Sequence, residues 1–176
     1  MQLDGAKVLS MSKRQRTIVW EDPVAAAALG RQLSGREFLD GIRKGEIPPP
    51  PIAVTLGMSL VEVGEGMAAF ELQPGEHLYN PLGTVHGGVM CTILDSAMSC
   101  AVHTLVPPGR GYTTAELKVN FVRPITVETP RVRAEGKVIH PGRQLATAEG
   151  RIVDERGRLY AHGTATCMIF DVREPR

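Results

Sequence analysis

The chain has 176 residues and a formal net charge of +1; 43% of its residues are hydrophobic and 5% aromatic. A chain of this length buries a sizeable core without disulfides or metal, and it is the size of one domain with a short extension. The balanced charge excludes a general nucleic-acid binder, which needs a strongly basic face, and the scarcity of aromatics excludes a base-stacking platform.

Residues 1–32 read as an N-terminal tail, partly flexible. Residues 1–16 are polar and basic with no sustained period, Met11 is an alternative start, and 24–29 is alanine-rich enough for one marginal helical turn. Lys13, Arg14 and Arg16 precede a stretch, 17–22, that is too short and polar for a signal sequence. No run of about 18 apolar residues exists to span a membrane, so a soluble, cytoplasmic protein with neither membrane nor nucleic-acid partner is expected.

Residues 33–172 read as a single domain. A helix over Gly35–Lys44 comes first: Ser34 is its N-cap, Glu37 completes a Ser-x-x-Glu capping box, and Phe38, Leu39 and Ile42 form its apolar stripe. Gly45 is suited to the left-handed position that ends it. Pro48, Pro49, Pro50 and Pro51 predict a stiff polyproline II spacer, in preference to a partner-binding motif. Residues 58–63 and 67–73 predict two strands joined at Gly64-Glu65-Gly66, with glycines for positive φ. After a loop over 74–83, a long helix is expected from about Val85 to Leu105, ended by Pro107-Pro108-Gly109. Residues 113–122 then alternate, with Thr113, Ala115, Leu117, Val119 and Phe121 opposed to Thr114, Glu116, Lys118 and Asn120. Three more strands follow over 131–139, 145–153 and 159–170, joined by turns at His140-Pro141-Gly142-Arg143 and Asp154-Glu155-Arg156-Gly157. The order predicts an α+β fold: an antiparallel sheet with one long helix across a face.

The chemistry concentrates at the start of that helix, in Asn80-Pro81-Leu82-Gly83-Thr84-Val85-His86-Gly87-Gly88. Two glycines opening a helix need a reason, because glycine lowers helix propensity. Either their bare N–H groups face a ligand oxygen at the positive helix terminus, as in an oxyanion site, or they serve a tight turn. The second feature is Asp95, a carboxylate among Val89, Met90, Ile93, Leu94, Ala97 and Ala101, which is costly unless hydrogen-bonded or at work. Its alternative is a place on the helix's one polar stripe. Asp95 lies eight residues past Gly87, which is ~12 Å along the axis, whereas reacting groups converge within ~3 Å. If the two act together, they come from different copies in a two-fold dimer.

Other candidates carry less. His77, His86, His103, His140 and His162 have no metal-ligand spacing, although the His86 ring is placed to orient the loop or a substrate. Cys91, Cys100 and Cys167 form no CxxC pair and fit a reducing compartment; Cys91 and Cys100 read as inert core residues, not nucleophiles. Neither a GxSxG elbow nor a nucleotide-binding glycine loop is present.

The stretch NPLGTVHGGVMCTILDSAMSCAVHT, followed by YTTAELKVNFVRPI and AHGTATCMIF, resembles the PaaI-like acyl-CoA thioesterases of the hotdog superfamily over roughly residues 34–170. The resemblance implies a hotdog fold, a sheet wrapped round a central helix, assembled as a homodimer or a dimer of dimers. It implies hydrolysis of an acyl-CoA, aryl or short to medium in chain, with no cofactor, coenzyme A being part of the substrate. Asp95 would be general base or nucleophile, Gly87 the oxyanion donor, Asn80 and His86 would shape the site, and Thr114 would orient water. Thr113, Thr114's neighbour, takes that role if the strand slips by one residue. Gly88, Arg123, His140 and Arg143 are the implied substrate contacts, the basic ones toward the CoA phosphates. The alternatives are a hotdog acyl-CoA dehydratase or hydratase and a non-catalytic acyl-CoA-binding module.

Overall fold

The computed structural model describes residues 12–172; the readings made for 1–11, Met11 as a start among them, lie outside the described residues. The first part of the chain follows its local signals. Asp22 caps a helix α1 (Pro23–Gly30) through its side chain, and α1 buries no residue. Helix α2 (Gly35–Lys44) has both bonds of the capping box, and Gly45 ends it at φ 78°. The polyproline reading holds only to Pro50: Pro51 opens a helix, α3 (Pro51–Leu56). Proline is at home at the first helical position, where its missing N–H costs nothing and its fixed φ already suits the helix. Upstream of α1, the Arg16 guanidinium donates to the Thr55 carbonyl of α3 at 2.8 Å, and Arg14 pairs with Glu76 at 2.7 Å.

Strands β1 (Met58–Gly64) and β2 (Met67–Leu72) form the expected hairpin, in which only Gly66 has positive φ. A single 3₁₀ turn (Glu76–Leu78) leads to helix α4 (Gly87–His103). This helix is shorter than expected at both ends. Val85 and His86 donate their N–H groups to the carbonyls of Ile125 and Leu78, which holds them extended, and Thr104 caps the far end. Four strands follow: β3 (Arg110–Phe121), β4 (Val132–His140), β5 (Leu145–Asp154) and β6 (Leu159–Asp171). All neighbours pair antiparallel in the order β1-β2-β4-β5-β6-β3.

The sheet curves round α4, which packs on β2, β4 and β5 and also touches β3 and β6. Ile93, Leu94, Met98 and Val102 are fully buried on the helix face that meets Val132 and Ile152. The approach is close because glycine permits it. A Cβ on Gly136 of β4 would stand 2.2 Å from the Ala97 carbonyl oxygen, so any side chain there would push helix from sheet. On the opposite face Arg133 and Arg151 bridge to Glu135 at 3.1 and 2.8 Å. That alternation, helix side apolar and outer side charged, is the one read from 131–139. The architecture is an α+β hotdog fold.

The turn between β5 and β6 is tied by Asp154, whose side chain is buried. It accepts from the Arg156 and Arg158 N–H groups at 3.0 and 2.9 Å, from the Arg158 guanidinium at 2.7 Å and from the Tyr160 hydroxyl at 3.1 Å. Burial pulls this carboxyl upward, but the hydrogen bonds from Arg158, Tyr160 and Arg156 outweigh it and hold it at about 2. A carboxyl depressed on folding stabilises the fold above the unfolded value near 3.8, and the gain is lost as pH falls toward 2. Asp154→Ala is therefore expected to lower the melting temperature at pH 7 and to flatten its acid dependence between pH 4 and 2. Thermal melts across that range check it, with Asp40→Ala, at an exposed α2 ion pair, as the near-neutral comparison.

Candidate active site

The loop before α4 is built around Asn80. Its carboxamide oxygen accepts from the N–H groups of Leu82 and Thr84 at 2.8 and 3.3 Å, and its Nδ2 donates to the Thr84 hydroxyl at 3.0 Å. Asn80 thus fixes the loop that delivers His86 to the helix start. His86 is the N-cap: its Nδ1 accepts from the Gly88 N–H at 2.8 Å, which places the ring proton on Nε2. The Gly88 donor is therefore occupied. The Gly87 N–H meets no acceptor among the described residues. Gly87 is half-buried against the Phe121 ring, whose nearest atom would lie 3.2 Å from an added Cβ. Of the two glycines, Gly87 alone offers a free donor at the positive end of α4.

Asp95 sits two turns further along, half-buried, and the Thr114 hydroxyl donates to its Oδ1 at 2.7 Å. This settles how β3 is read. A β-bulge between Thr114 and Glu116 inserts Ala115, so the alternation changes phase there. Thr114 then lies on the face of Leu117 and Val119, while Thr113 and Ala115 are exposed. An unbroken alternation over 113–122 groups these residues wrongly, because it gives the bulged residue a place in the pleat. No histidine hydrogen-bonds Asp95 among the described residues.

The basic candidates are divided between the two ends of β3. Arg123 follows β3 near the α4 N-terminus, its guanidinium 5.9 Å from the Tyr160 ring centre. His140 and Arg143 stand at the opposite end, where the Arg143 carbonyl accepts from Arg110 at 3.1 Å. All three are exposed, and one chain does not bring them together. Burial pushes the Cys100 thiol up to about 12, and burial, with Asp95 adding to it, raises Cys91, which disfavours the nucleophilic thiolate at both; both are half-buried.

Sequence patterning does not flag the residues that line the space beside this pair. A cavity of about 690 Å³ lies between α2, α3, β1 and the C-terminal half of α4. Its walls include Phe38, Leu60, Phe70, Cys100, His103 and Tyr112. Its volume suits a small-molecule ligand. Asp95 and Thr114 do not line this cavity; Tyr112, which does, is two residues before Thr114 on the same face of β3, about 7 Å away. The only hint in the sequence is Tyr112's even spacing from Thr114.

Residues 82–161 match the family model described as the Thioesterase superfamily. A Saccharolobus solfataricus protein named provisionally as an esterase is 31% identical over 115 residues, which cover 65% of this chain and 75% of the relative. The 1,4-dihydroxy-2-naphthoyl-CoA hydrolase of Listeria monocytogenes is 26% identical over 120 residues, covering 68% of this chain and 96% of that enzyme. A crystal structure of a thioesterase family protein from Silicibacter pomeroyi superposes with a TM-score of 0.68 at 28% identity, over 76% of this chain and 99% of that one. With the central-helix architecture and these matches together, the chain belongs to the hotdog-fold thioesterase superfamily.

Proposed function

We propose that this protein is a PaaI-like acyl-CoA thioesterase, hydrolysing an aryl or short- to medium-chain acyl-CoA to the free acid and coenzyme A. The observation that carries the reading is the Asp95 carboxylate on the central helix, accepting the Thr114 hydroxyl on one oxygen. The other oxygen is left for water or for the thioester carbon. As general base, Asp95 takes a proton from water while the oxygen bonds to the carbonyl carbon. The tetrahedral oxyanion is held by the Gly87 N–H at the helix terminus. Collapse breaks the C–S bond, and the proton returns from Asp95 to the departing thiolate. As nucleophile, Asp95 would attack the carbonyl carbon; the C–S bond breaks, coenzyme A leaves as thiolate and is protonated by solvent, and water opens the resulting mixed anhydride to the free acid and the Asp95 carboxylate. Both routes use the same two groups.

Because α4 separates Gly87 from Asp95 by eight residues, ~12 Å, the donor facing each carboxylate is assigned to a second copy. A homodimer, or a dimer of dimers, is the working unit in this reading. The same symmetry would let Arg123 of one copy and His140 or Arg143 of another share one CoA phosphate group. Asn80 and His86 act as positioning residues, since their polar atoms already hold the loop and the helix start. The names of the two relatives concern acyl-CoA and ester hydrolysis, which accords with this chemistry. The hydratase alternative needs a basic histidine beside the acid, and Asp95 has Thr114 as its partner instead. The three cysteines are unpaired, and a cytoplasmic location belongs to the same proposal. No helix among the described residues is long and apolar enough to cross a membrane.

Thiol release from a panel of acyl-CoAs, aryl, short and medium, tests the reading. Hydrolysis of at least one class is the expected result. A melting-temperature rise with ligand but no thiol from any of them would make the protein a binding module and overturn it.

A further inference from the structure

The 690 Å³ cavity, whose Tyr112 wall stands two residues along β3 from Thr114, the partner of Asp95, does not end at its own wall. A second cavity of about 380 Å³ lies behind it, roofed by Pro23, Ala26, Ala27 and Gly30 of α1. Phe38, Ile42, His103 and Tyr112 face both spaces. The partition is therefore one layer of side chains. In it the His103 ring sits between Phe38 and Tyr112, tilted by 56° and 38° to them, with ring centres 6.0 and 4.7 Å away. No side-chain hydrogen bond of His103 fixes this layer among the described residues, and burial pushes the imidazole down to about 4, so it is neutral at physiological pH. An apolar chain passing on the Phe38 and His103 side of this partition separates no charges, while Tyr112 stays held by Ser99 and Cys100.

Helix α1 is otherwise unexplained. It precedes residues 82–161, which match the Thioesterase superfamily model, buries none of its own residues and gives the core no large side chain. Its alanines have no bulk to fill the space beneath them, and Gly30 lets its end rest on the Phe38 ring, 3.1 Å from where a Cβ would be. His103 lies eight residues past Asp95 on α4, ~12 Å along the axis, so an acyl chain running from the carboxylate along α4 reaches the partition before it ends if it is long.

We propose that the two cavities form one acyl channel and that α1 closes its far end, so that the N-terminal helix sets the longest acyl chain the enzyme accepts. The occupant of the outer space is the distal part of an unbranched medium-chain acyl group such as dodecanoyl, while short acyl groups stay within the inner one. This rests on the thioester-hydrolase reading of the Asp95 site.

The experiment compares kcat/KM for butyryl-CoA and dodecanoyl-CoA in the full-length wild type, Ala26→Trp, Ala27→Phe and Ala25→Trp. Ala26 and Ala27 line the outer cavity, whereas Ala25, exposed as Ala27 is, lies outside it. Blocking the outer space is expected to lower the dodecanoyl-to-butyryl ratio at least about ten-fold in Ala26→Trp and Ala27→Phe. Ala25→Trp is expected to keep the wild-type ratio. An unchanged ratio in both blocking variants, or the same fall in Ala25→Trp, overturns the channel. So does a wild type that cleaves butyryl-CoA and not dodecanoyl-CoA. No thiol from either substrate would instead strike at the hydrolase reading, and the channel with it.

Discussion

Asp95→Asn is expected to lower kcat by about 10² to 10⁴-fold while leaving the melting temperature within a degree or two of wild type. Asparagine keeps the size of the side chain, and its carbonyl still accepts the Thr114 hydroxyl, so the contact that ties α4 to β3 survives. What disappears is the negative charge and the basic oxygen not used by Thr114. The half-buried setting adds to the contrast, because a neutral amide is no harder to accommodate there than a carboxylate. Steady-state kinetics with thermal melts on the same preparations separate chemistry from folding. A parallel loss of both would make Asp95 a structural residue on the helix's polar stripe.

Gly87→Pro is expected to cost about 10² to 10³-fold in kcat, with KM little changed, because it removes a donor needed only once the oxyanion forms. The substitution is unusually clean at this place. Gly87 is the first residue of α4, the helical position at which proline is best tolerated. The residue before it, His86, already has φ −61° and ψ 137°, in the extended region that a following proline demands. The His86–Gly88 cap is untouched, and the Phe121 ring that the new carbons would meet is 53% exposed, free to swing aside. Gly88→Ala is the comparison: its N–H is bonded to His86 and is not the proposed donor, and the added Cβ, 3.0 Å from His86 Nδ1, makes that ring give by a few tenths of an ångström. Retention of the wild-type rate in Gly87→Pro would move the oxyanion donor elsewhere.

Much of this architecture is legible in the residue pattern because the signals are local. Ser34 with Glu37 announces α2, and the apolar run around Ile93, Leu94 and Met98 announces a buried helix. The separation of Gly87 from Asp95 follows from helical rise alone. Three features are not legible, each for a physical reason. Pro51 looks like the end of a polyproline run because the run's first three members and a helix's first residue share nearly the same φ. The bulge at Ala115 carries no glycine to mark it, so strict alternation leaves Thr113 and Thr114 undecided until β6 is laid beside β3. The walls of the cavities, Phe38, His103 and Tyr112, are ordinary core residues one by one. They become a site only because the sheet curves until its two edge strands, β1 and β3, face the same stretch of α4. Likewise Arg123 and Arg143 look like neighbours in function, yet they occupy opposite ends of the sheet.

The central claim is that one reaction centre draws its carboxylate and its oxyanion donor from different copies of the chain. It is tested most directly by co-expressing Gly87→Pro and Asp95→Asn chains with different affinity tags and isolating the hybrid through both. Each variant alone is expected to be nearly inactive. In a two-fold hybrid one centre combines both defects and the other combines the intact Gly87 of one chain with the intact Asp95 of its partner. Thiol release from the hybrid is therefore predicted to recover to about half the wild-type rate. A hybrid that contains both chains and is as inactive as either parent would contradict the shared site.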